Sequence, residues 1–163
     1  MRPSRDEFYS DLTSLVSLRG TCIRRQVGCV LVDKRGCILS TGYNGVATGR
    51  PHCSEGHPCK GACLPSGEGL DLCEAIHAEQ NAILLLSDPW IVDTCYVTCT
   101  PCISCLKLLL GTSCKRIVAR YAYSHTESLS WWSSAGRSME ILNPQGRLVS
   151  LQEKVLDYQG SLF

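Results

Sequence analysis

From residue 74 to residue 142 the hydrophobic pattern alternates between two periods, and that alternation limits the folds open to the chain more than any other feature. Residues 74–86, EAIHAEQNAILLL, hold Ala78, Ala82, Ile83, Leu84, Leu85 and Leu86 with no Gly or Pro, as a buried helix starting near Glu74 would. TCYVTC (94–99) then reads as a strand. Pro101 opens a second helix, CISCLKLLLG, closed by Gly111. KRIVARY (115–121) is a strand, residues 126–136 a short helix, and SMEIL (138–142) a last strand. Upstream, residues 3–19 carry Phe8, Leu12, Leu15, Val16 and Leu18 at near-helical spacing. VGCVLVD (27–33) and CILSTGY (37–43) flank the turn signal Lys34-Arg35-Gly36 and read as a hairpin. The order α-β-β-α-β-α-β-α-β predicts an α/β fold of three layers, α/β/α, around a central five-stranded mixed sheet.

One stretch breaks the pattern. Residues 44–73, NGVATGRPHCSEGHPCKGACLPSGEGLDLC, contain six glycines, three prolines, four cysteines and two histidines, and no hydrophobic period. A loop this long is unusual in a compact domain unless it is functional or pinned. A polar, glycine-rich segment buries too little apolar surface to offset its ordering entropy, so a structural metal is the expected pin. Its candidate ligands are His52, Cys53, His57, Cys59, Cys63 and Cys73, with Cys22 from the start of the hairpin; free thiols are the alternative. From Asn143 the chain is polar and weakly patterned. Residues 1–163 are therefore expected to form a single domain, with 44–73 as an insertion and 143–163 as a weakly patterned tail.

The whole chain holds 12 cysteines in 163 residues. The N-terminal segment MRPSRDEFYSDL has no apolar core of the secretory kind, so a cytoplasmic setting is expected, where cysteines serve metals or act as small buried hydrophobes. Cys29, Cys37, Cys95, Cys99 and Cys114 lie in or beside apolar strand-like runs and are read as such hydrophobes. No run reaches the ~18 apolar residues of a membrane span. The formal net charge is +1 with no Lys/Arg run, which argues against duplex nucleic acid as a partner.

The chemistry lies in His77, Glu79, Cys102 and Cys105. Cys102 and Cys105 stand three residues apart in the first turn of a helix, so their thiols share one face. The free N–H groups and dipole of that turn favour thiolates. With His77 they make a soft three-ligand set for zinc, leaving a fourth position for water. Two thiolates neutralise the metal's charge and acidify such a water less, so a nearby general base becomes more necessary; Glu79 is the candidate. His-x-Glu followed by Pro-Cys-x-x-Cys is the pattern of zinc nucleobase deaminases. A dithiol redox pair at Cys102/Cys105 is the main rival, but it leaves His77 and Glu79 unexplained.

At these residues the chain resembles the zinc-dependent cytidine deaminase superfamily and, within it, the deoxycytidylate (dCMP) deaminases of phage and bacterial type. The matching pieces are TCIRRQVGCVLVD (21–33), STGYNGVATGRPHC (40–53), LCEAIHAEQNAI (72–83), YVTCTPCISC (96–105) and, more weakly, KRIVARYAY (115–123). The resemblance implies a cytidine-deaminase-like fold and hydrolysis of dCMP to dUMP and ammonia, a reaction that supplies thymidylate synthesis. It implies one catalytic zinc on His77, Cys102 and Cys105, with Glu79 as proton shuttle. Asn44 would bond the nucleotide's sugar, Gly45 would allow close approach, and Ala78 and Tyr123 would border the substrate. A tight turn at Asn44-Gly45 is the plainer reading of that pair. Arg24, ahead of Arg25 and Gln26, would meet the 5′-phosphate. A second, structural zinc on Cys22, Cys53 and Cys73 is implied too; its fourth ligand is Cys59 in preference to Cys63, His52 or His57. The family relation further implies a homo-oligomer, often a hexamer, activated by dCTP and inhibited by dTTP. Trp131 and Trp132 are read as core or interface packing rather than as base-stacking residues. Other deaminase substrates stay open: a 5-substituted dCMP, dCTP, cytidine or an RNA base. So does a non-catalytic zinc-binding module, against which Glu79 argues.

Overall fold

The computed structural model describes residues 2–65, 68–122 and 126–151. Its first helix, α1 (Arg5–Ser17), starts where the sequence caps it: the Glu7 amide donates to Ser4 Oγ at 3.2 Å and the Ser4 amide to Glu7 Oε2 at 2.8 Å. The strands β1 (Gly28–Val32) and β2 (Ile38–Tyr43) pair antiparallel as the predicted hairpin. After them come β3 (Gly45–Val46), β4 (Ala75–Ile76), α2 (Ala78–Leu84), β5 (Thr94–Cys99), α3 (Ile103–Leu110), β6 (Arg116–Tyr121), α4 (Thr126–Ser134), β7 (Ser138–Leu142) and β8 (Leu148–Ser150).

The main sheet runs in the order β2-β1-β5-β6-β7-β8. β5, β6 and β7 are parallel, joined through α3 and α4, and the remaining pairs are antiparallel. The mixed sheet and three layers match the expectation, but the described sheet has six strands rather than five. The extra strand, β8, lies in the tail after Asn143. Its three residues are intermediate or exposed, so no alternation marks it; it exists because β7 offers an open edge, with Ile141 opposite Val149. The small β3–β4 ladder was equally invisible, having only two residues on each side. It brings the two ends of the insertion together, so the chain re-enters the sheet region beside where it left. α2 begins at Ala78, not near Glu74, because Ala75 and Ile76 are taken up by β4.

Successive residues along the central strands serve opposite cores. Cys29, Leu31, Cys95, Val97, Ile117 and Ala119 face α2, α3 and α4, where Ala78, Ala82, Leu106, Leu109 and the fully buried Trp132 complete the larger core. Val30, Val32, Tyr96 and Val118 face α1 through Tyr9, Leu12 and Val16. Trp131 lies half-exposed on the surface with Lys107 over its ring. Cys29, Cys95, Cys99 and Cys114 are buried as read, whereas Cys37 is exposed, because it sits in the turn before β2 rather than in a strand. No disulfide joins any of the cysteines.

Two strand glycines set the helix positions. A Cβ on Gly28 would lie 2.1 Å from the Thr13 carbonyl oxygen, and one on Gly42 would lie 2.1 Å from the Ala78 carbonyl oxygen and 2.4 Å from the Ala82 nitrogen. Beside Tyr9, Leu12 and Val16, the small residues Ser10 and Thr13 of α1 therefore face the sheet, while Phe8, Leu15 and Leu18 of its apolar spacing are exposed. α2 meets β2 backbone to backbone, which fixes the height of its N-terminus above the sheet. No described helix is long and apolar enough to cross a membrane.

Candidate active site

Two helix N-termini converge at one end of the sheet. His77 is the N-cap of α2 and its carbonyl accepts from the Asn81 amide at 2.9 Å. Cys102 is the N-cap of α3 and its carbonyl accepts from the Leu106 amide at 2.9 Å. The chain can turn from β5 into α3 because Pro101 needs no amide partner and Thr100 donates its amide to the Tyr121 carbonyl at 3.0 Å. The His77 backbone amide is held by Gln80 Oε1 at 2.8 Å. Gln80 was not read as part of the site, although Gln at the third helical position is a capping signal.

His77 Nδ1 lies 3.5 Å from Cys102 Sγ and 3.4 Å from Cys105 Sγ. All three donor atoms fall within 4.8 Å of one another, and this is the one such group among the described residues. A tetrahedral zinc with Zn–S near 2.3 Å and Zn–N near 2.0 Å sets an N···S edge of about 3.5 Å, so the donor set fits the metal. The Cys102 thiol is pulled down to about 4 by the hydrogen bond from Cys105, helped by His77. Cys105, buried, moves upward, first because it gives that hydrogen bond to Cys102. The His77 imidazole is raised, mainly by its bond to Cys102.

Glu79 follows at the second position of α2 and is 4% exposed. Burial pushes its carboxyl up, while its own backbone amide and His77 pull the other way. His77, Glu79 and Cys102 line a cavity together with Ala78, Asn44, Arg24 and Arg25. Cys105, buried, and Gly45 are not among the lining residues. Cys99, Thr100 and Val27 also line the cavity. Sequence reading missed them because strand-end residues look like core.

Asn44 is 7% exposed and satisfied by the protein itself. Its Oδ1 accepts from the Val27 amide at 2.8 Å and its Nδ2 donates to the Arg25 carbonyl at 2.7 Å. The Asn44-Gly45 pair is not a tight turn: Gly45 lies in β3 without a positive φ, and a Cβ there would meet Thr21 Oγ1 at 2.8 Å. Arg24 reaches the insertion, donating from Nη1 to the carbonyls of Gly61, Leu64 and Glu68. Tyr123 lies outside the described residues.

Cys22, from the α1–β1 connection, comes together with Cys53, Cys59 and Cys73 of the insertion. Cys53 and Cys59 are buried. Burial raises the Cys59 thiol, but the backbone of Glu74 and Ala62 and the thiols of Cys53 and Cys73 outweigh it and hold it below the ordinary value. Burial raises Cys53 and Cys73, and Cys22 lies within electrostatic reach of both. Cys63 and His57 are exposed, and His52 is turned to Thr21 Oγ1 at 3.0 Å. Cys22 and Cys73 also line the cavity, so this cluster adjoins the first.

The family model described as cytidine and deoxycytidylate deaminase zinc-binding region matches residues 3–121. The chain belongs to that family. A deoxycytidylate deaminase of Schizosaccharomyces pombe is 35% identical over 134 residues, covering 78% of this chain and 41% of that protein. The deoxycytidylate deaminase of Mycobacterium phage D29 is 34% identical over 122 residues, covering 72% of this chain and 94% of that one. Among solved structures, a dCMP deaminase from the cyanophage S-TIM5 in complex with dCMP and dUMP superimposes with a TM-score of 0.68 at 28% identity, covering 86% of this chain and 98% of that one. The chain spans about two fifths of the length of the two yeast relatives it matches, 41% in each case.

Proposed function

We propose that this protein hydrolyses dCMP to dUMP and ammonia. The carrying observation is the buried Glu79 carboxyl, set into the same cavity wall as His77 and Cys102, beside a donor set of zinc size. Zinc held by His77, Cys102 and Cys105 supplies Lewis-acid activation of water at neutral pH. Glu79 takes the proton of the attacking water and delivers it to N3 of the cytosine ring. The C4–O bond forms as this happens. Glu79, again a carboxylate, then takes the proton of the new C4 hydroxyl and passes it to the exocyclic amine; the C4–N bond breaks, C4=O forms and ammonia leaves. Ala78 and Val27 supply apolar wall to this cavity. Asn44 holds the segment 25–27 in place from behind.

The finer features follow the same reading. A second zinc on Cys22, Cys53, Cys59 and Cys73 is supported by their convergence, and it would pin the insertion. A homo-oligomer is supported by the exposed Leu84, Leu85 and Trp90; the hexamer rests on the family relation. Activation by dCTP and inhibition by dTTP, and a cytoplasmic setting, rest on the family relation.

Ammonia release from dCMP, dCTP, deoxycytidine, cytidine and 5-methyl-dCMP, with zinc per chain on the same preparation, tests the reading. Turnover of dCMP with about two zincs per chain is the expected result. Turnover of a different substrate, or of none with zinc present and dCTP added, would overturn it.

A further inference from the structure

Residues 21–24, between α1 and β1, meet two limbs of the insertion. Thr21 holds the first: the Ser54 amide donates to the Thr21 carbonyl at 3.1 Å, and His52 Nδ1 lies 3.0 Å from Thr21 Oγ1. Arg24 holds the second, donating from Nη1 to the carbonyls of Gly61 at 2.5 Å, Glu68 at 3.1 Å and Leu64 at 3.4 Å. The segment is itself tied to the end of β2. The Thr21 amide donates to the Asn44 carbonyl at 3.0 Å, and the Asn44 side chain spans the Arg25 carbonyl and the Val27 amide.

The stretch that Arg24 reaches is one the gathered cysteines only bracket. Cys59 precedes it, Cys73 follows it, and Cys63 within it is exposed. A guanidinium keeps its charge at any working pH, and a charged donor makes the stronger kind of hydrogen bond. Gly61 transmits that hold. It is buried, and a Cβ there would lie 2.7 Å from the Cys73 nitrogen and 2.9 Å from both the Cys73 Cα and the Gly69 carbonyl oxygen. The 3₁₀ turn Lys60–Cys63 therefore lies backbone to backbone against the stretch that ends at Cys73. Cys73 and Ala75 line the cavity, as Arg24 does, and β4 leads straight from Ala75 into His77. Through Gly61, the Arg24 guanidinium thus sets where one wall of the cavity stands.

We propose that Arg24 is a positioning residue for substrate binding, clamping the insertion against the cavity through its bonds to Gly61, Leu64 and Glu68. The effect on binding rests on the reading of the chain as a nucleotide deaminase; the clamp itself does not. With the clamp gone, the wall is seated for only part of the time. Apparent affinity then falls by the seated fraction, while substrate bound to the seated form reacts at the usual rate.

The test uses the zinc-loaded full chain. Arg24→Gln should raise KM for dCMP about tenfold with kcat within about twofold of wild type. KM for deoxycytidine should rise by the same factor, because a wall has been lost rather than a contact to the phosphate. Limited proteolysis within the insertion should quicken about tenfold, with cutting elsewhere at the wild-type rate. Arg24→Lys keeps the charge without the planar fork and should fall between the two. Gly61→Ala leaves Arg24 in place but forces the two stretches apart, so it should reproduce the raised KM and the faster cutting. Wild-type cutting in Arg24→Gln would overturn the clamp. So would a loss confined to dCMP, which makes Arg24 a phosphate contact, or a loss in kcat alone, which places it in the chemistry. Should the wild type turn over neither compound, the deaminase reading fails by itself. Faster cutting of the insertion in both Arg24→Gln and Gly61→Ala would then still support the clamp, and unchanged cutting would still overturn it.

Discussion

The chain holds two cysteine clusters, and they are built in opposite ways. His77, Cys102 and Cys105 stand on helix N-termini whose helices pack on a continuous core of Leu106, Leu109, Ile117 and Trp132. Their spacing is set by β5, by α2 lying against Gly42, and by capping. Cys22, Cys53, Cys59 and Cys73 stand on loop and 3₁₀ turns with little apolar burial of their own. Only the first set reaches mutual donor distances within 4.8 Å, among the described residues. Packing can hold the first set ready before a metal arrives, whereas the proposed second site would need its metal to hold the loop.

The largest break in that comparison is chemical. Glu79→Ala should lower kcat by about 10³-fold while zinc per chain stays at the wild-type value, as steady-state kinetics and metal analysis of one preparation would show. Substantial residual turnover would remove Glu79 from its role. Next comes geometry. Gly42→Ala puts a methyl into the backbone of α2, so α2 must shift. We expect about 1–3 kcal/mol of destabilisation and roughly a 10²-fold loss of turnover, measured by denaturant unfolding and kinetics. Wild-type kinetics in this variant would show that the helix-borne site tolerates misplacement.

A smaller effect on the chemistry, but a selective one, is expected from Cys59→Ser. About one zinc per chain should be lost, and limited proteolysis should cut within residues 52–73 while the sheet stays protected in hydrogen exchange. Loss of sheet protection as well would mean that the loop site supports the whole fold. The smallest effect belongs to Cys37→Ser, exposed in its turn and far from both clusters. Its stability should change by no more than about 0.5 kcal/mol with zinc unaltered; any loss of zinc would show that exposure alone does not identify the idle thiols.

The two clusters also differ in how far the sequence discloses them. His77, Glu79, Cys102 and Cys105 are legible because their spacing sits inside strong helix signals, and a three-residue step on a helix implies one face. The four loop cysteines could be gathered only by family resemblance, because loop spacing carries no geometric meaning. That Arg24 reaches carbonyls of the insertion while Arg25 reaches Cys99 was not legible at all. Adjacent residues of one type leave no pattern, and the partners that separate them lie 37 residues on at Gly61 and 74 residues on at Cys99.

By itself, then, the sequence determined the alternation of strands and helices and the three layers they form. Local periodicity and capping decide those features, and both act over a few neighbours. Tertiary structure alone decided that β8 completes the sheet edge, that β3 and β4 close the insertion and that α1 turns small polar residues inward. It also decided that Arg25 rather than Arg24 rests on a thiol. Each depends on an acceptor, an edge or a bare glycine supplied from elsewhere in the chain, and no local pattern records a distant partner.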